Sequence, residues 1–525
     1  MNFARSLFTV SSLTVVSRIA GFIRDTLTAM LLGAGPEADA FFVAQRIPNL
    51  FRSLFAEGAF TAAFVPLYAA ESEKKGPDAA QQFAGDALAL LVTVLAPFTV
   101  VVMLLMPFVI LLIAPGFQDE PEKYALTVSF SRVTFPYLLL ISITALQSGV
   151  LNARGRFGPP AFAPIALNIV MIAGLFLAKW FKLPVGMTLS WALTISGVVQ
   201  ALWLAISCYR VRLSIPILKP HLGAASKRLF RQIGPGAVGA GAAQINLLIS
   251  TILASTLPTG AVSYLYYADR LNQLPLGIVG IAVATTLLPF LSRHEANGDA
   301  GAVRHYTSRA IEFCIALGLP ATIGLGVAAR PIVQTLFEHG AFTHADTIET
   351  AHALTAYALC VPAFLLVKVF SARFFARHDV RTPVKIALVS MAVNVVCAVI
   401  LLGPMQHVGI ALATSIATWM NAGQLYFRLR RNGEQLSDAT SARRIPRLLV
   451  CAVGMTLATL AMMYGLDGWF EGRHLGREIV ALSLIIGVSC LAYGALLQIT
   501  GALRWREALG MMRGKQKKQG LNQHD

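Results

Sequence analysis

Charge is scarce in this chain. Asp, Glu, Lys and Arg make up 13% of its 525 residues, about half of the roughly 25% that a soluble domain carries. So little charge leaves an ordinary water-exposed surface unsupported. Cysteine is scarce as well. Cys208, Cys314, Cys360, Cys397, Cys451 and Cys490 stand alone, within or beside apolar runs. No C-x-x-C occurs, so neither a zinc site nor a disulfide framework is indicated. The sequence has no Walker A loop, no G-x-S-x-G, no H-E-x-x-H and no calcium-loop pattern. It also lacks D-D and D-x-D pairs and any loop long enough to form a soluble active site. These absences argue against an ATPase, a serine hydrolase, a metal-dependent hydrolase or an enzyme acting on polyprenyl phosphates. No cofactor is expected, and with no ATP site the driving force must come from a gradient, the membrane potential or substrate supply. The N-terminus has no A-x-A cleavage site and runs directly into Arg18 and Arg24, which reads as a first helix and not as a signal peptide.

What remains is apolar. Hydrophobic residues make up 56% of the chain, and mean hydropathy is +0.65. Runs of 18 or more residues recur from end to end, each long enough to cross a hydrocarbon core of roughly 30 Å. They are rich in Leu, Ala and Val without alternation, so they read as helices and not barrel strands. About fourteen spans are expected by the 20-residue criterion, the first over 7–33, the second over 37–67 and the last over 477–501. The net charge of +17 sits in short blocks between spans, which excludes a nucleic-acid surface. Lys74, Lys75, Arg154, Arg156, Arg210, Arg212, Arg293, Arg304, Arg377, Arg381, Arg428, Arg430 and Arg431 fall on one side together with both basic tails. The other side holds only Lys123, Lys179, Lys182, Arg330, Arg473 and Arg477. The positive-inside rule then puts both termini in the cytoplasm.

The chain repeats weakly. Ala153-Arg154 followed by Pro160 recurs as Ala376-Arg377 followed by Pro383, and Val65-Pro66-Leu67 as Leu288-Pro289-Phe290, in one register. Six spans separate the copies, so both have the same orientation, as in parallel transporter repeats. The expected class is an all-α membrane protein of about fourteen transmembrane helices: two pseudo-symmetric six-helix lobes plus two C-terminal helices. The domains are an N-lobe at 1–215, a C-lobe at 216–435, spans 13 and 14 at 436–503, and a basic cytoplasmic tail at 504–525 suited to anionic lipid.

Charges inside the spans carry the functional signal. Arg18, Arg24 and Asp25 fall in span 1, Asp39, Arg46, Arg52 and Glu57 in span 2, and Asp269 and Arg270 in span 8. One arginine at the bilayer centre costs roughly 3 kcal/mol, and four facing lipid would cost on the order of 12 kcal/mol. Arg18, Arg24, Arg52 and Arg270 therefore read as lining a wet cationic cavity between the lobes. Guanidinium is always protonated and binds phosphate through paired donors. The carboxylates would neutralise or gate the empty cavity. Structural pairs such as Arg24–Asp25 and Asp269–Arg270, or snorkelling near span ends, are the plainer alternative. Arg309 and Glu312 take that plainer reading outright.

The segments Ser17-Arg18-Ile-Ala-Gly-Phe-Ile-Arg24-Asp25, Ala38-Asp39-Ala-Phe-Phe, Pro48-Asn49-Leu-Phe-Arg52, Phe55-Ala-Glu57-Gly58 and Tyr266-Tyr-Ala-Asp269-Arg270 resemble the MviN/MurJ lipid II flippases. That family belongs to the multidrug/oligosaccharidyl-lipid/polysaccharide exporter superfamily. The resemblance implies flipping of lipid II to the periplasmic leaflet of the bacterial inner membrane for cell-wall synthesis, and a transporter instead of an enzyme. It also implies a groove for the undecaprenyl tail beside spans 13 and 14. It makes Arg18, Arg24, Arg52, Arg270 and Asn49 substrate-binding candidates. Asp25, Asp39, Glu57 and Asp269 become gating or ion-pair candidates. The implied partners are lipid II, membrane lipids and cell-wall synthesis machinery, with the chain acting as a monomer. Two departures stand out. Ser53 occupies a position that is basic in many members, leaving the diphosphate fewer cations. The run Gly234–Ser255 lacks the carboxylate that some members use for sodium. The alternatives within the superfamily are an exporter of another lipid-linked oligosaccharide, or a multidrug antiporter, whose cavity should favour carboxylates and aromatics.

Overall fold

The computed structural model describes residues 3–52, 59–213, 215–216, 221, 223–436, 438–471 and 474–502. Among them all regular structure is helical. Helices fall on each of the expected stretches, and nine of the described segments are long and apolar enough to cross a membrane. Span 2 holds helices Pro36–Arg52, with Pro48 inside it, and Ala59–Lys75 on either side of residues outside the described set. Two other stretches are interrupted in ways that proline explains. Span 4 divides into Pro121–Thr134 and Tyr137–Ala153 with Pro136 at the junction, and span 10 into His344–Ala358 and Val361–Ala376 with Pro362 at the start of the second piece. Proline lacks the N–H that would continue the ladder. Spans 11 and 12 are two helices within Arg381–Arg431 that meet at a kink at Gln406, where φ is 48° and ψ −131°.

The repeat register is visible in the backbone. Helix Tyr137–Ala153 ends at Arg154 (φ −98°, ψ 13°), and helix Val361–Ala376 at Arg377 (φ −96°, ψ 13°). The next residue has positive φ in both, Gly155 at 69° and His378 at 60°. The N–H of Arg156 donates to the Leu151 carbonyl at 2.9 Å, and that of Asp379 to the Phe374 carbonyl at 3.0 Å. These are the same helix-terminating turn, 223 residues apart.

Packing divides the chain into two compact units. The first is Met1–Tyr267 with Leu336–Thr350 and Val395–Ile410; the second is Ala268–Thr335 with Ala351–Asn394 and Ala411–Asp525. The core of the first includes Phe64, Tyr68, Phe83, Leu146, Val150, Leu151 and Leu204. The core of the second includes Leu291, Cys314, Val361, Leu365, Val369, Phe374 and Leu429. Many large apolar side chains are exposed, among them Leu104, Leu112, Trp180, Ile400, Leu457 and Leu491, as lipid-facing helices require.

The first unit owes its discontinuous make-up to the loops on the base-poor side. The N–H of Ala341 donates to the Met30 carbonyl at 2.8 Å. Two glycines make this approach feasible. Gly33 (φ 68°) and Gly340 (φ 63°) adopt left-handed backbone, and a Cβ would come within 2.6 Å of the Ala341 oxygen and 2.3 Å of the Met30 oxygen respectively. Tyr267 packs among Phe42, Phe337 and Phe342 and donates to the Gly33 carbonyl at 2.9 Å. The N–H of Gly186 donates to Glu37 at 2.7 Å, and the imidazole of His407 lies 3.5 Å from the Glu349 carboxylate.

Candidate functional site

Helix Phe3–Leu32 carries the first three candidates. Arg18 is exposed on it. Arg24 is buried, roughly 12 Å from the helix end at 1.5 Å per residue. Its guanidinium donates to Asp25 Oδ1 through Nη2 at 2.7 Å and Nε at 3.1 Å, and through Nη1 to Asn168 Oδ1 at 3.0 Å. Asn168 in turn donates to the Ser17 carbonyl at 3.1 Å. Its amide therefore both orients Arg24 and fastens helix Gly158–Phe181 to the first helix. Asp25 also accepts from the Tyr266 hydroxyl at 3.3 Å, and the Tyr266 ring stacks on Phe42 with centroids 3.9 Å apart. A charged group buried at this depth needs such bonds to offset its lost hydration.

Asp39 sits one turn inside helix Pro36–Arg52 and is 1% exposed. Its carboxylate receives the Gly260 N–H at 2.8 Å, the Ser263 N–H at 2.9 Å and the Ser263 hydroxyl at 2.6 Å. These are donors at the start of helix Ala261–Ala296. A helix leaves its first N–H groups without internal partners and carries partial positive charge there. Asp39 thus caps a helix to which it does not belong. Lys123 Nζ completes the arrangement, 3.3 Å from Asp39 Oδ2.

Asn49 and Arg52 lie half-buried near the end of helix Pro36–Arg52. Glu57 lies outside the described residues. Asp269 and Arg270 belong to the second unit, half-buried, with Gln273 donating to Asp269 one turn on. The structure therefore brings Arg24 to Asp25 and Asn168, Asp25 to Tyr266, and Asp39 to Ser263 and Lys123. Arg46 donates to the Thr251 hydroxyl, Arg132 to the Met103 carbonyl at 3.1 Å, and Lys368 lies 4.9 Å over the Phe364 ring. Arg309 joins Glu312, Asp438 and Arg444 in an ion-pair cluster, as the plainer reading holds.

Sequence reasoning missed Lys123, Asn168, Ser263 and Tyr266. Lys123 reads as a loop cation, whereas it lies in the first turn of helix Pro121–Thr134 and its side chain is 1% exposed. Its one detectable signal was isolation on the side with few bases. Nothing distinguished Asn168 or Ser263 from the many small polar residues of apolar helices.

The second unit holds another charged cluster. Arg373, 4% exposed, donates to Glu295 at 3.0 Å and to Glu434, and Arg377 bonds the same two carboxylates. A cavity of about 510 Å³ opens beside it, lined also by Asp299 and Arg304. Three carboxylates there oppose three guanidiniums, so it has no net attraction for an anion. Among the described residues no cluster of His, Cys, Asp and Glu could hold a metal.

The family model described as lipid II flippase MurJ matches residues 28–477. A probable lipid II flippase MurJ of Rhizobium meliloti (strain 1021) is 44% identical over 465 residues, covering 87% of this chain and 86% of its own. A lipid II flippase MurJ of Burkholderia cenocepacia is 36% identical over 441 residues, covering 82% and 85%. The fold is similar to a solved lipid II flippase MurJ in an inward closed conformation, with a TM-score of 0.76 at 24% identity, covering 95% of this chain and 99% of that one. It is also similar to an inward-facing MATE transporter of the MOP superfamily, with a TM-score of 0.67 at 15% identity, covering 82% and 99%. With a family match over residues 28–477 and a relative 44% identical over 87% of its length, the chain belongs to the lipid II flippase MurJ family.

Proposed function

We propose that this protein flips lipid II from the cytoplasmic to the periplasmic leaflet of a bacterial inner membrane. The observation that carries the reading is the family match over residues 28–477. The chemistry supports it. Arg18, Arg24, Arg52 and Arg270 receive the diphosphate of the cargo, with Asn49 assisting, and the paired donors of guanidinium suit phosphate oxygens. Asp25 holds Arg24 ready and trades it to the incoming phosphate. Asp39 closes the base-poor end, which the charge asymmetry assigns to the periplasm. Asp269 and Glu57 balance charge when cargo is absent. Two lobes, 1–215 and 216–435, alternate access, spans 13 and 14 at 436–503 hold the polyprenyl tail, and both termini are cytoplasmic. No bond of the cargo is broken, so the protein is a transporter and not an enzyme. It works as a monomer beside the cell-wall synthesis machinery, driven by the membrane potential or an ion gradient.

The test is exposure of the lipid II head group on the outer leaflet in cells depleted of the protein and lacking any other flippase. Exposure should collapse and return with the wild-type chain. Undiminished exposure would refute the reading.

A further inference from the structure

We propose that Lys123 is the counter-ion that lets Asp39 close the external end, and hence a positioning residue for transport. This rests on reading the chain as a flippase with alternating access. The ammonium is enclosed by partners: Nζ lies 3.3 Å from Asp39 Oδ2, 3.3 Å from Glu120 Oε1 and 3.1 Å from Thr259 Oγ1, with the Phe117 ring centroid at 4.3 Å. The ammonium donates to Glu120 and Thr259 and pairs by charge with Asp39, a radial arrangement that a lysine fits and a planar guanidinium does not. Glu120 and Thr259 are joined directly as well, the hydroxyl lying 2.8 Å from Oε1. Burial opposes ionisation of Glu120, but the Thr259 hydrogen bond and the Lys123 charge outweigh it and hold its carboxyl below the usual range.

The arrangement divides the Asp39 carboxylate. Oδ1 takes the two Ser263 donors, while Oδ2 takes the Gly260 N–H and faces Lys123. Both charged side chains are 1% exposed, so neither could stay buried alone without a large penalty. Opening the end withdraws the segment Thr259–Ser263 and returns both charges to water, where each is stable unpaired. Lys123 therefore stabilises the closed form selectively. Removing it penalises closure, because Asp39 then keeps its Gly260 and Ser263 donors but is buried without a counter-charge, and leaves the open form untouched. Removing both charges lifts that penalty.

The test uses full-length protein in membranes with Ala38→Cys as a reporter, labelled from outside by an impermeant maleimide, and the chain without the added cysteine as blank. Ala38 is fully buried beside Asp39. Lys123→Met should raise external labelling by about tenfold or more, since a buried charge stripped of its partner is strongly disfavoured. Asp39→Asn combined with Lys123→Met should bring labelling back toward the wild-type level, which a merely structural loss at Lys123 would not allow. Membrane levels of each variant are measured alongside. Unchanged labelling in Lys123→Met, or a double variant labelled as strongly as the single, would overturn the inference. The lipid II exposure assay run in parallel separates the two claims: labelling reports the gate whatever the cargo, and exposure reports the cargo whatever the gate.

Discussion

The helix ends at Ala153 and Ala376 are the same turn 223 residues apart, but what surrounds them differs. Position 150 is Val150, 1% exposed in the apolar core of the first unit; its counterpart is Arg373, 4% exposed and bonded to Glu295 and Glu434. Arg154 is exposed, whereas Arg377 joins the same two carboxylates. One backbone solution thus supports either an oily or an ionic interior. The ionic version ties the end of helix Ala261–Ala296 and the Asn432–Gln435 segment to the turn. The Asp39 site is built on a third principle, a carboxylate bonded to neutral backbone donors with a single lysine. Water replaces backbone bonds at little cost, so that site suits a gate, while the arginine network suits a permanent brace.

Breaking the gate should have the largest effect. Asp39→Ala leaves Lys123 with only the exposed Glu120 carboxylate as counter-charge and the start of helix Ala261–Ala296 uncapped, a loss of roughly 3–5 kcal/mol in the closed form. Complementation of a depleted strain should fail, with protein still present in the membrane. The brace comes next. Arg373→Val, which copies Val150, removes the buried cation and leaves Glu295 and Glu434 only the exposed Arg377, and should destabilise the second unit by about 3 kcal/mol, read as a lower Tm in detergent. Replacing Arg373, Glu295 and Glu434 together by apolar residues should recover most of that loss.

Acid sharpens the same contrast. Burial opposes ionisation of Glu295, but the Arg377 and Arg373 hydrogen bonds and charges outweigh it and hold its carboxyl below the usual range. Burial likewise opposes ionisation of Asp438, yet bonds from Ser441 and Arg309 bring it to about 2. Folded values below unfolded ones mean stability that is full above the ordinary carboxylate range. It is lost as pH falls through that range toward the lowered folded values, near 2 for Asp438. Thermal melts between about pH 5 and pH 3 should show a steeper decline for wild type than for the apolar triple variant. Smaller still, His378→Gly relieves the left-handed backbone at that turn and should stabilise by about 1 kcal/mol, whereas Gly155 already has that residue type.

Much of this was legible in the sequence. Apolar runs located the helices, because a bilayer demands long stretches with internally satisfied backbone. The register 153/376 located the shared turn, because Arg and Pro mark helix ends. Arg24 and Asp39 stood out because charge inside a span is expensive. The bonding was not legible. That Asp39 caps a helix more than 220 residues away, or that Asn168 orients Arg24, depends on tertiary contacts without a local pattern. Lys123 was hidden by its position at a span boundary, where lysines ordinarily lie in water.

Binding of lipid II to the purified protein tests the central claim most directly, with undecaprenyl diphosphate as competitor. Arg270→Ala and Arg52→Ala should each weaken binding by about tenfold or more, as loss of a charge-assisted phosphate contact implies, and the competitor should displace the cargo. Undiminished affinity in both variants, with no competition by the diphosphate, would contradict the assignment of these arginines to the cargo.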